Sequence, residues 1–207
     1  MDDEVDRSAQ WPDQIFGHFK RARIRQVGYV PDAGHARLIR RCIEDTEIAD
    51  VLLTSEEEGV GLVCGAALAG ERAALLMQSS GVGNCINMFS LLKNCGFSTL
   101  VVVTMRGEFA EFNPWQVPMA SITKECFRLC GFVVHRAEHE SEVDEIVGGA
   151  CDMAFEGDTP VAVLLSQRLI GVKRWTKTHP PLGQGSKSER GQRAHRDTSA
   201  PDQEDAR

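Results

Sequence analysis

Three consecutive acids, Glu56-Glu57-Glu58, stand at the entry to a run, Val60 to Ala69, that is apolar almost all round and rich in small residues. A carboxylate entering such a helix is open to desolvation. Desolvation raises a carboxyl pKa toward the range in which it can pass protons near neutral pH. The same string also makes an ordinary helix start, because Ser55 and Glu58 have capping-box spacing and acids suit a helix N-terminus. Spacing alone does not choose among the glutamates. Further on, Gln78-Ser79-Ser80-Gly81-Val82-Gly83-Asn84 places paired glycines ahead of a helix, where backbone can approach a polar or anionic ligand closely. It is not a dinucleotide fingerprint: Ile86 occupies the third-glycine position, and the unit is third in the chain rather than first. No P-loop string ending in Gly-Lys-Ser/Thr exists.

Other residues sit in comparable places. Val30-Pro31-Asp32-Ala33-Gly34-His35 reads as a turn that could aim Asp32 or His35 at a bound molecule. Arg106 opens a loop bearing Phe109, Phe112 and Trp115, and could pair with a sulfonate, phosphonate or carboxylate. Aromatics in a loop call for cover by substrate closure or a subunit contact. Cys126, Cys130, His135 and His139 imitate zinc ligands, but an apolar run between the second and third makes the four diverge, so no metal site is expected.

These residues need strands and helices to position them. Short apolar runs at 25–30, 49–53, 73–77, 99–104, 132–134 and 161–165 predict strands, and helical spacing predicts helices at 11–22, 35–44, 56–69, 84–95, 117–129 and 141–156. The alternation predicts an α/β fold: an open, parallel, six-stranded sheet with helices on both faces. Such sheets bind ligands outside the carboxyl ends of their strands, which is where the strings above fall. The 207 residues, 42% hydrophobic, suit one domain over 11–175, flanked by a loose acidic stretch at 1–10 and a polar tail at 176–207 whose composition predicts disorder. A net charge of −7 has the wrong sign for a nucleic-acid coat. No apolar run spans a bilayer and the acidic N-terminus is unlike a secretory signal, so no membrane partner and a cytoplasmic location are expected. Seven cysteines, mostly among apolar neighbours, read as reduced core thiols.

Val30-Pro31-Asp32, the Glu56-Glu57-Glu58-Gly59-Val60-Gly61 helix start, Gln78-Ser79-Ser80-Gly81-Val82-Gly83-Asn84-Cys85-Ile86-Asn87 and Arg106-Gly107-Glu108 together resemble the pyrimidine-binding domain of thiamine diphosphate-dependent 2-oxo acid decarboxylases, the sulfopyruvate and phosphonopyruvate branches above all. The resemblance covers about residues 11–175. It implies a glutamate that hydrogen-bonds N1′ of the cofactor's aminopyrimidine and promotes the imino form that deprotonates the thiazolium ring. Counting back from Gly65 puts that catalytic role on Glu56, with Glu57 the alternative. It further implies that Gln78, Ser79, Ser80, Gly81, Gly83 and Asn84 line the cofactor site, and that Asp32, His35 and Arg106 meet the substrate. The family's diphosphate and magnesium motif, Gly-Asp-Gly followed by asparagine, is missing; Gly157-Asp158-Thr159 is the nearest string. Thiamine diphosphate is therefore expected at an interface, with its diphosphate and Mg2+ held by a separate beta subunit. A histidine found after the fourth strand in phosphonopyruvate enzymes has no match near Trp115-Gln116, which favours sulfopyruvate as the small 2-oxo acid. A noncatalytic ligand-binding or regulatory subunit on the same fold is the alternative.

Overall fold

The computed structural model describes residues 10–171. The expectations for residues 1–9 and for the tail lie outside the described residues. Six strands, β1 (Ile24–Tyr29), β2 (Ala49–Leu52), β3 (Arg72–Gln78), β4 (Leu100–Thr104), β5 (Val133–Ala137) and β6 (Val161–Leu165), form one sheet in the order β2-β1-β3-β4-β6-β5. Every pairing is parallel, as expected. β4 and β6 are buried along their whole length because helices cover both faces, which is why they read as uninterrupted apolar runs.

Two cores result. On one face α1 (Trp11–Arg21), α2 (Ala36–Glu44) and α7 (Glu140–Phe155) cover Val27, Leu76, Val102 and Val163. On the other, α3 (Glu56–Leu68), α4 (Ser79–Cys85), α5 (Phe89–Cys95) and α6 (Val117–Leu129) cover Leu75, Met77, Val101 and Val103. Phe89, Phe127 and Phe132 meet there with ring centroids 4.9–5.3 Å apart. Burying one such ring contributes about 1.5–3 kcal/mol. On the first face, His18 bonds Asp144 at 2.8 Å and Glu140 accepts from the Trp11 amide at 3.1 Å, which pins α1 to α7. A last short helix, α8 (Gln167–Ile170), was not expected. Its N-cap Ser166 accepts from the Leu169 amide at 3.2 Å.

Three elements depart from expectation, each for a physical reason. The helix expected at 84–95 is two: α4 begins at Ser79, and the break falls before Phe89. Glycines in α4 serve close packing rather than a loop, since a Cβ at Gly83 would lie 3.2 Å from Met119 Sδ on α6. β5 runs on to Ala137, with His135 and Arg136 half-buried, because an edge strand does not need a fully apolar run. The capping box at Ser55 does not form. The Ser55 hydroxyl turns to Glu57, and Glu58 accepts from the Thr54 amide at 2.9 Å. Of the seven cysteines, Cys42, Cys64, Cys85 and Cys151 are buried as core thiols, Cys126 and Cys130 are half-buried, and Cys95 is exposed. Among the described residues no helix is long and apolar enough to cross a membrane.

Candidate active site at the carboxyl edge of the sheet

The chain leaves β2 and turns into α3, so the first residue of that helix, Glu56, stands at the carboxyl edge of the sheet. Its side chain folds inward and is 9% exposed. Oε2 accepts a hydrogen bond from Asn84 Nδ2 at 2.9 Å. Oε1 lies over Gly81, where an added Cβ would sit 2.4 Å from both Oε1 and Cδ. Real Cβ atoms do not approach that closely, so glycine at 81 is a requirement of the carboxylate's position. Glu57 goes elsewhere: it is half-buried and takes the Ser55 hydroxyl, a hydrogen bond that holds its carboxyl below the usual range. The three glutamates that spacing could not separate thus differ in their hydrogen bonds: Glu56 accepts from Asn84 of α4, Glu57 from Ser55 and Glu58 from Thr54.

A second cluster joins the ends of β1, β3 and β4. Asp32 Oδ1 accepts from Gln78 Nε2 at 3.1 Å, and Oδ2 accepts from Thr104 Oγ1 at 2.6 Å. Gln78 Oε1 in turn accepts from Ser80 Oγ at 2.8 Å. Ser79 Oγ accepts from the Arg106 amide at 3.1 Å, which fastens α4 to the loop after β4. Gln78, Ser79, Ser80, Gly81 and Asn84 are therefore brought together with Glu56 and Asp32.

His35 and Arg106 are not brought to that cluster as free groups. His35 is wholly buried, and its Nε2 donates to the Val102 carbonyl at 3.1 Å. Burial lowers its pKa, although Asp32 pulls the other way. Arg106 donates from Nε and Nη2 to Glu111 at 2.8 and 2.9 Å, and the Glu111 side chain is 3% exposed. The charge expected for a substrate anion is met by an internal carboxylate. Burial pushes the Glu111 carboxyl up, but hydrogen bonds from Arg106, Asn113 and Gln167 outweigh it and hold it at about 2.

Gln167 completes this loop support. Its Oε1 accepts from the Glu108 and Phe109 amides at 2.8 Å each, and its Nε2 donates to Glu111 at 2.9 Å. Sequence reading passed over Thr104, Glu111 and Gln167. Thr104 and Gln167 carry a usable signal, because each is a polar residue at the carboxyl end of a buried apolar strand. Beyond this support, Phe109 and Phe112 are exposed and Trp115 is 87% exposed. The four imitation zinc ligands fall on different elements: Cys126 on α6 and Cys130 at its C-cap, His135 on β5 beside Met153, and His139 as the N-cap of α7. Gly157-Asp158-Thr159 joins α7 to β6 at the amino edge of the sheet, opposite Glu56.

No protein-family model matches the chain. Sulfopyruvate decarboxylase subunit alpha from Methanocaldococcus jannaschii is 32% identical over 151 residues, which are 72% of this chain and 89% of that protein. Sulfopyruvate decarboxylase from Methanosarcina acetivorans is 31% identical over 121 residues, 58% of this chain but 31% of the longer relative. Phosphonopyruvate decarboxylase from Streptomyces viridochromogenes is 27% identical over 165 residues, covering 78% of this chain and 42% of its own. Among solved structures, 2-oxoglutarate:ferredoxin oxidoreductase from Magnetococcus marinus shares the fold, with a TM-score of 0.60 at 12% identity over 82% of this chain and 34% of that one.

Proposed function

Since the chain belongs to the family of sulfopyruvate decarboxylase alpha subunits, we propose that it is the pyrimidine-binding half of a thiamine diphosphate-dependent 2-oxo acid decarboxylase acting on sulfopyruvate, releasing carbon dioxide and sulfoacetaldehyde. The observation that carries this reading is the inward-turned Glu56 carboxylate. One oxygen is held by Asn84 and the other lies over a glycine, at the sheet edge where ligands of parallel α/β folds bind. These residues suit the group the family implies. Asn84 engages Oε2 of Glu56, which leaves the lone pairs of Oε1 to meet a ring nitrogen. Bound thiamine diphosphate supplies the nucleophilic carbon and the electron sink that decarboxylation of a 2-oxo acid needs.

This chain's own residues do the rest on their side of the site. Glu56 holds a proton at N1′ of the aminopyrimidine, and Asn84 keeps the carboxylate from swinging to solvent. Gln78, Ser80 and Gly81 shape the wall around the ring, with Ser79 and Gly83 behind it, against the Arg106 amide and Met119. The diphosphate and Mg2+ fall to a beta subunit. The Methanosarcina and Streptomyces relatives support that division, because more than half of each lies beyond the region matched here.

The test is reconstitution. The purified chain, its partner subunit, Mg2+ and thiamine diphosphate are combined and carbon dioxide is measured from sulfopyruvate, phosphonopyruvate and pyruvate. Sulfopyruvate should react fastest, Glu56→Gln should lower the rate about 10²-fold or more, and Glu57→Gln should stay within a few-fold. Near-normal turnover by E56Q would remove the acid from its role. A complex that binds the coenzyme without turning over any of the three acids would make the chain a regulatory subunit.

A further inference from the structure

Both Asp32 oxygens are already engaged within the chain. Oδ1 is taken by Gln78 and Oδ2 by Thr104, the latter at 2.6 Å, the length of a charge-assisted O–H···O bond. The strand order places β1 beside β3 and β3 beside β4, so one carboxylate ties three adjacent strand ends together. The chain of bonds continues from Gln78 to Ser80, in the first turn of α4. That same short helix carries Gly81 and Asn84, the two residues against the Glu56 carboxylate. Gly34 leaves room for this arrangement: a Cβ there would stand 2.8 Å from Thr104 Cγ2 and 2.9 Å from Asp32 Oδ2.

We propose that Asp32 is a positioning residue for Glu56. It fixes the start of α4 through Gln78 and Ser80, and so fixes the glycine and asparagine that aim the carboxylate, without itself touching substrate. The inference rests on Glu56 being the coenzyme-activating acid, as proposed above.

The geometry separates this role from a direct one. Asparagine at 32 can keep both arms, with its carbonyl oxygen accepting from Gln78 and its amide donating to Thr104 Oγ1. Alanine keeps neither. In the reconstituted complex D32A should lower kcat by about 10- to 100-fold with KM within about threefold, since misplacement of a catalytic group costs rate rather than affinity. D32N should recover most of that loss. G34A should reproduce the D32A defect with Asp32 intact, and D32A should add little in an E56Q background, because the group it positions is already gone. A second readout needs no turnover: in the isolated chain, amide hydrogen exchange over residues 79–85 should quicken in D32A and G34A and stay slow in D32N. Should D32A fail to fold, T104V removes a single arm and is read the same way.

The proposal is overturned if D32N is as damaged as D32A, if the defect appears in KM alone, or if exchange over 79–85 does not change. Failure of the underlying reading looks different. It would show as an inactive wild-type complex or an active E56Q, while the exchange data would still report whether Asp32 orders α4.

Discussion

The Glu56 carboxylate is confined by sterics as much as by hydrogen bonding. With Gly81 against Cδ and Oε1, a single methyl group at position 81 must move either the acid or the helix beneath it. Gly81→Ala should therefore cost at least about tenfold in turnover of the reconstituted complex. The thermal midpoint should shift by no more than a few degrees, because the strain falls on the end of one side chain at the sheet edge and not on the two apolar cores. Normal turnover by G81A would mean that the acid sits elsewhere in the working enzyme. Residue identity at this site was partly legible beforehand. Counting back from Gly65 points to Glu56 with Glu57 as the alternative, whereas the different surroundings of the two carboxylates are not legible, because they depend on a Ser55 hydroxyl and a helix far along the chain. His35 shows the opposite limit: nothing local signals that its ring bonds Val102, 67 positions away, so a polar residue in a turn passed for a ligand.

At the level of elements, the loop after β4 is organised around Glu111. Five donors converge on it: Arg106 Nε and Nη2, Gln167 Nε2, and the amides of Gly107 and Asn113. Glu111→Ala leaves the Arg106 charge buried without its partner, a loss of about 3–5 kcal/mol, and should lower the melting temperature by roughly 10 °C while exposing residues 106–113 to proteolysis. The pH dependence has a definite sign. A carboxyl held at about 2 in the folded chain and near its ordinary 4.5 when unfolded adds stability that is complete above pH 4.5 and is lost as pH falls toward 2. That loss is roughly 3 kcal/mol. Urea unfolding over that window should show a steep slope in the wild type and a shallow one in E111A. The strands and most helices could be seen in the sequence because a parallel sheet covered on both faces demands apolar runs of strand length. This loop could not, since its order comes from polar contacts between Glu111 and Gln167, 56 residues apart, which no periodicity records. α4 was hidden for a related reason, its glycines reading as a close backbone approach to a ligand when they leave space for Glu56 and Met119.

Across the whole molecule, acid sensitivity should begin earlier than Glu111 alone predicts. His35 is buried with its pKa lowered by desolvation, so below its ordinary 6.5 the unfolded chain takes up a proton more readily than the folded chain. Stability should be full above that value and start to decline beneath it. His35→Gln, which can still donate to the Val102 carbonyl, should remove this first decline and leave the later one. Equal slopes between pH 7 and 5 in both proteins would show that the ring is not the cause. The same molecule-wide view bears on assembly. Among the described residues the hydrogen-bonded groups around Glu56 and Asp32 come from α3, α4, the ends of β1, β3 and β4 and the loop after β4, while the Gly157-Asp158-Thr159 string lies at the far edge, in keeping with the proposed division of the site between two subunits.

Space itself can be used as a genetic reporter here. At Gly81 the obstruction is internal, so a saturation library selected for turnover should return glycine alone. At Gly61 and Gly65 on α3 nothing among the described residues beyond the helix's own backbone lies within 4 Å of an added Cβ. If those two positions tolerate alanine and serine under the same selection, that flank of the helix meets only water in the working assembly. If they too return only glycine, another polypeptide is pressed against it, and the tolerated volumes would trace its outline residue by residue.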